Sequence, residues 1–193
     1  MRGGSVTRTL FLVAVLVAPS AARVRADDAE LRTLGDPALR AAVDARTRPI
    51  YDAAARPDAK RVFLMTRANP LSLEAARGTE ATGVVVEGTV GRIVASVWTK
   101  SGKYSVEYYR TSQALLFVYE TFVYFEEEAP RGAWRNFMGQ AAWERRTYFD
   151  DRQSVGFAEA RGPNAPPPGA DGPPLIDRAQ RMARLLDAKS EAR

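Results

Sequence analysis

The sequence predicts an α+β fold: an antiparallel β-meander of about six strands, with an N-terminal and a C-terminal helix packed on one face. Three observations carry this. Between Val84 and Ala160 the apolar residues are largely β-branched and aromatic, gathered in short runs between turn residues. Residues 37–55 and 175–186 instead repeat apolar side chains at spacings of three and four, the period of a helix. A chain of 193 residues is long enough for one ordinary core and short for two.

Taken in order, residues 1–26 read as a signal peptide. Arg2 and Arg8 supply a positive start, Leu10 to Ala18 is unbroken apolar sequence, and Pro19-Ser20 precedes small residues. The apolar run falls well short of the roughly 20 residues that span a bilayer. Cleavage after Ala22 or Ala26 fits the small-residue rule, and Ala26 is preferred because acidic sequence follows directly. A single α+β domain is expected over residues 27–161, a Pro/Gly-rich linker over 162–174 and an amphipathic helix over 175–193.

Asp36-Pro37 pairs an N-cap with proline at the first helical position, and Leu39, Ala42, Val43 and Ile50 then share a face, with Arg40, Asp44 and Arg48 turned outward. The helix is expected from Pro37 to about Ala55, bent near Pro49. Lys60 to Thr66 is a strand or a packed connector, and Leu71 to Ala76 a helical turn after Asn69-Pro70. Strands follow from Val84, with turns at Glu87-Gly88 and at Lys100 to Lys103, where Gly102 is placed for a left-handed backbone. Tyr104 to Arg110 and Leu115 to Phe125 form the central hairpin. Ala133 to Ala142 reads as an excursion containing a short helix, and Trp143 to Phe149 pairs with Ser154 to Ala160. Tyr109, Leu115 and Phe117 recur as Phe149, Val155 and Phe157 at a constant offset, an internal echo of one hairpin in the next.

Composition narrows function more sharply than any motif. The formal charge is +5, but Arg2, Arg8, Arg23 and Arg25 all precede the first acidic residue, and removing those four charges leaves +1. No nucleic-acid partner is therefore expected. The chain has no Cys and no His. Lipoprotein attachment, disulfides, thiol catalysis and the Ser/His/Asp triad go with them, as do the commonest zinc ligand and general base. No later apolar run reaches membrane-spanning length, so no transmembrane segment is expected in the mature chain.

Glu107-Tyr108-Tyr109 before a polar turn, Leu115-Leu116-Phe117-Val118-Tyr119 after it, and Glu144-Arg145-Arg146-Thr147-Tyr148-Phe149-Asp150-Asp151 resemble a group of small uncharacterised secreted bacterial proteins. That resemblance implies a signal peptide, an N-terminal helix, an aromatic strand meander and a C-terminal helix. It implies no activity and no functional residues. Asp151-Arg152 stands where the group has Asn-Gly, and Gly156 stands where it has a bulky strand residue. The internal echo alone resembles MORN-type hairpin repeats.

No catalytic residues, cofactor or metal ligands are expected. Glu126, Glu127 and Glu128, with Asp150 and Asp151, are oxygen donors without the spacing of a calcium loop and read as solvated charge. The leading expectation is a non-catalytic periplasmic or secreted binding module, its partner an envelope protein or a glycan, its partner-binding face built on Tyr108, Tyr109, Tyr119 and Tyr148. Strand alternation already forbids Tyr108 and Tyr109 the same face. Two alternatives stand beside it. One is a hydrolase of envelope polysaccharide using Glu107 and Glu144 as paired carboxylates. The other is a structural envelope protein whose C-terminal stripe, Leu175, Met182 and Leu186, docks on another chain, although docking on the protein's own sheet is favoured.

Overall fold

The computed structural model describes residues 37–67, 70–71, 78–131, 133–163 and 174–191. The predicted signal peptide, most of the linker and the turn expected at Leu71 to Ala76 lie outside them, apart from Leu71 itself. Helix α1 (Pro37–Ala55) is followed by β1 (Arg61–Thr66), β2 (Thr79–Val86), β3 (Thr89–Trp98), β4 (Gly102–Arg110), β5 (Leu115–Tyr124), β6 (Ala142–Phe149) and β7 (Val155–Arg161). Helix α2 (Leu175–Glu191) ends the described chain. The strands form one seven-stranded sheet in sequence order, every neighbour antiparallel.

The meander is thus seven strands rather than about six. The added one is β1, where a short apolar run left strand and connector indistinguishable. Pairing decides it: Arg61 to Thr66 run against Val84 to Thr79, burying Val62 and leaving Phe63 and Met65 exposed. Arg61 also finishes α1, its guanidinium donating to the carbonyls of Ala54 and Arg56 at 3.1 Å each. Those oxygens lie at the helix end, where intrahelical donors run out.

The helices do not share a face of the sheet, which corrects the expected arrangement. On β4, Tyr104, Val106 and Tyr108 join the core under α2, with Ala179, Met182, Ala183 and Leu186. Tyr109 points the other way and joins Val43 and Ile50 of α1, with Leu116, Tyr148 and Phe157. The reason is that both faces carry apolar residues, and a face with large aromatic side chains needs cover. The order is α1, sheet, α2. Met182 and Leu186 are fully buried and Leu175 half-buried, so the C-terminal stripe docks on the protein's own sheet.

Three local expectations are also revised. Ala133 to Ala142 holds no helix among its described residues; an Arg135–Ala141 bridge closes a turn in which the Asn136 side chain accepts from the amides of Met138 and Gln140. Gly102 is not left-handed, and its need is space: a Cβ there would overlap the Val123 carbonyl and the Phe122 ring. The Glu87-Gly88 turn does take positive φ at both residues, 50° and 81°, the primed geometry that fits strand twist. The internal echo is real but shifts by one residue. Phe117 pairs with Tyr109 and Phe157 with Tyr148, because each hairpin carries a bulge beside its turn.

Gly156 is where α1 meets β7. A Cβ at this position would overlap Leu39 Cδ2, the free end of a half-exposed side chain of the helix. Gly156→Ala is expected to destabilise the fold by less than about 1 kcal/mol, because the half-exposed Leu39 can turn to another rotamer. Leu39→Ala in the same background should remove part of that penalty, a coupling that chemical denaturation of the double-mutant cycle will measure.

Candidate functional site

The α1 face of the sheet is built in rows, because residues opposed across antiparallel strands point the same way. The row under α1 is Arg92, Tyr109, Phe117, Tyr148 and Phe157. Its rings touch in sequence, with centroids 5.7 Å apart for Tyr109–Phe117, 4.9 Å for Phe117–Tyr148 and 4.2 Å for Tyr148–Phe157. The next row is polar: Glu107, Tyr119, Arg146 and Glu159.

Glu107, Glu144 and Glu159 on this face each have a cation. Arg92 donates twice to Glu107 Oε2, at 2.7 and 3.2 Å, and Tyr109 donates to the same oxygen at 3.0 Å. Tyr119 donates to Glu144 at 2.9 Å, with Arg146 at 3.7 Å from that carboxylate. Arg40 of α1 reaches Glu159 at 2.9 Å and lies over the Tyr148 ring, so this residue, read from sequence as outward, ties helix to sheet. Burial first, and then the adjacent carboxylates, raise the phenols: Tyr119 is pushed up to about 12 and Tyr109 well above the ordinary tyrosine range.

Between α1 and this ladder lies a cleft of about 300 Å³. Tyr51, Tyr109 and Phe117 form its aromatic walls, and Asp44, Thr47 and Arg48 bring polar groups to it. The helix residues were missed because their side chains read as solvated; only the sheet beneath makes their exposed side one wall of a cavity. The signal available was Tyr51, an aromatic ring on the side of the helix that otherwise carries Asp44, Thr47 and Arg48. At the far end of the same face, beyond α1, Trp98 stacks on Phe125 with Lys103 over its ring. All told, Phe63, Met65, Trp98 and Phe125 stay exposed there, Met65 at 76%. A second depression of about 440 Å³ lies along β1 to β3, lined by Phe63, Met65 and Val94 among others.

The four tyrosines expected to form a binding face are not one surface. Tyr108 is fully buried on the α2 face; Tyr109 and Tyr148 are buried under α1; Tyr119 is half-buried with its hydroxyl committed to Glu144. Of these, Tyr109 reaches the cleft. Their burial follows from the two-sided cover, since alternation sends adjacent tyrosines to opposite helices.

Glu107 and Glu144 do share the α1 face, yet the geometry does not pair them. They stand on strands separated by β5, about 10 Å across the sheet, and neither lines either cleft. Glu126 to Glu128 and Asp150 with Asp151 lie at opposite ends of the strands. Glu126 binds Arg135 at 2.8 Å, Asp151 binds Arg46 at 2.6 Å, and Asp150 caps its own turn by accepting from the amides of Arg152 and Ser154. Among the described residues no group of three or more acidic side chains is placed to hold a metal ion. No helix among them is long and apolar enough to cross a membrane. No protein-family model, curated protein or solved structure matches the chain.

The raised tyrosines give a pH dependence with a definite sign. Each holds its proton more tightly in the fold than in the unfolded chain, so the stability they contribute is complete below pH of about 10. It is lost as pH rises toward 12, where the Tyr119 phenol ionises in the fold. Alkaline titration should show tyrosinate absorbance and loss of ellipticity rising together between about pH 10 and 12. Ionisation of all seven tyrosines near pH 10 with the fold intact would contradict it.

Proposed function

We propose that the protein is an exported, non-catalytic binding protein whose ligand seat is the cleft between α1 and the sheet. The observation that carries the reading is the cleft's lining: three aromatic rings, Tyr51, Tyr109 and Phe117, faced by a carboxylate, a guanidinium and a hydroxyl from Asp44, Arg48 and Thr47. The wall is mixed, and convergent polar groups beside apolar rings are what fix a small ligand's orientation in a pocket. Rings bordered by such groups suit a hydroxyl-rich, partly apolar ligand, and a short segment of an envelope glycan has that chemistry. The leader pattern at Arg2 to Ala26 supports export to the periplasm or the medium.

An envelope protein is the second reading for the partner. It is favoured by the exposed Phe63, Met65, Trp98 and Phe125 at the open end of the same face.

Tyr51 is half exposed, so Tyr51→Ala should leave the fold intact. Titration with envelope oligosaccharides should show binding by the native protein and an affinity about tenfold lower in Tyr51→Ala, the size of a lost aromatic anchor. Equal affinity in the two would contradict the cleft as the seat. Expressed with its leader in a bacterium, the protein should be recovered outside the cytoplasm with Asp27 as its first residue, which intact-mass measurement reads directly. Retention of the leader on folded cytoplasmic protein would contradict export.

A further inference from the structure

The α2 face carries a second polar constellation that the cleft does not use. Glu120, fully buried on β5, is saturated. Its Oε1 accepts from the Tyr104 hydroxyl at 2.7 Å and from Arg145 Nη2 at 3.1 Å, and its Oε2 accepts from Arg145 Nε at 2.6 Å. Arg145 thus holds a carboxylate side-on, through the parallel N–H groups of Nε and Nη2.

Arg181, on α2, presents the same two nitrogens with no oxygen between them. Nε and Nη2 are both shut off from solvent and neither has a hydrogen-bond partner. The Tyr108 hydroxyl, on a side chain with no exposed surface, also lacks one. These groups share a region: Tyr108 lies on the sheet face that α2 covers, in one core with Ala179, Met182 and Ala183, the residues on either side of Arg181 along the helix, and Arg178 is fully buried one turn earlier. The charge of Glu120 acts on the Tyr108 phenol, but that carboxylate is already bound by Arg145.

Arg181 is half-buried, yet two guanidinium N–H groups shut off from water without an acceptor are costly to a fold. A water molecule would accept an N–H and leave the charge unanswered. An oxygen pair on an anion meets both N–H groups of the fork, neutralises the charge and still accepts from a phenol. We propose that Arg181 and Tyr108 anchor a binding site beneath α2 for a compact oxyanion, a phosphate, a sulfate or a small carboxylate, with Arg178 adding positive charge. The fork sets the class, since it fits two oxygens held on one atom, as in the Arg145–Glu120 pair. Because α2 forms one wall, occupancy fastens the helix to the sheet.

The test is the melting temperature of the purified protein in sodium phosphate, sulfate and acetate, each against sodium chloride at equal ionic strength and pH. At least one oxyanion should raise Tm saturably, by about 5 °C well above its Kd. Which of the three acts identifies the ligand as tetrahedral or carboxylate. Arg181→Met should abolish the rise, and Tyr108→Phe, which keeps the ring, should weaken the apparent affinity roughly fivefold. Should Arg181→Met fail to fold, Tyr108→Phe decides alone. Equal melting in all four salts overturns the proposal, as does a rise that persists unchanged in the variants.

Discussion

Adjacent side chains on a β-strand leave opposite faces of the sheet, and in β4 that rule falls on Tyr108 and Tyr109. Each ring needs cover, and no one-sided arrangement supplies it to both. The protein meets the requirement by spending its two helices on different faces, α2 over Tyr104, Val106 and Tyr108, α1 over Tyr109 and its neighbours. Much of the remaining architecture follows. The meander provides a broad sheet without long crossovers, leaving the helices at the chain ends free to fold onto opposite sides. Gly102 stands where a neighbouring strand's backbone comes too close for a side chain.

Two-sided cover also explains the polar chemistry. A sheet enclosed on both faces carries its charged residues inward with the pleat, and each must be answered locally, since an unpaired buried charge is far costlier than a paired one. Glu120 is answered by Arg145 and Tyr104 on one side, Glu159 by Arg40 on the other. On the α1 face the cross-strand rows make such pairing straightforward, because Glu107, Tyr119, Arg146 and Glu159 stand beside one another by register. These pairs orient side chains more than they drive folding; the apolar area on either side of the sheet supplies that. The cleft arises where α1 and the aromatic row diverge, so its walls come from elements far apart in sequence.

The strand order, the turn at Glu87-Gly88, the span of α1 and the docking stripe of α2 were legible because each rests on local pattern, namely period and turn chemistry; the expected cap at Asp36 lies outside the described residues. What sequence could not supply depended on partners. Lys60 to Thr66 became a strand only through β2, and Ala133 to Ala142 lost its helix to an asparagine side chain that satisfies backbone amides locally. Reading Tyr108, Tyr109, Tyr119 and Tyr148 as one surface failed for a related reason: aromatic content marks an apolar face, and only tertiary packing says whether that face is a core or a contact. Asp44, Thr47, Arg48 and Tyr51 were unreadable as a site because a cleft wall is a relation between two elements. The pairing of Arg145 with Glu120, and the matching fork of Arg181, likewise have no signature in spacing.

The claim beneath all of this is that neighbouring tyrosines on β4 are sheltered by different helices. Nuclear Overhauser contacts in the folded protein test it most directly. Ring protons of Tyr108 should contact the side chains of Met182 and Leu186, and ring protons of Tyr109 those of Val43 and Ile50, with no exchange of partners. Contacts from both rings to a single helix, or a Tyr108 ring free in solvent, would contradict the account.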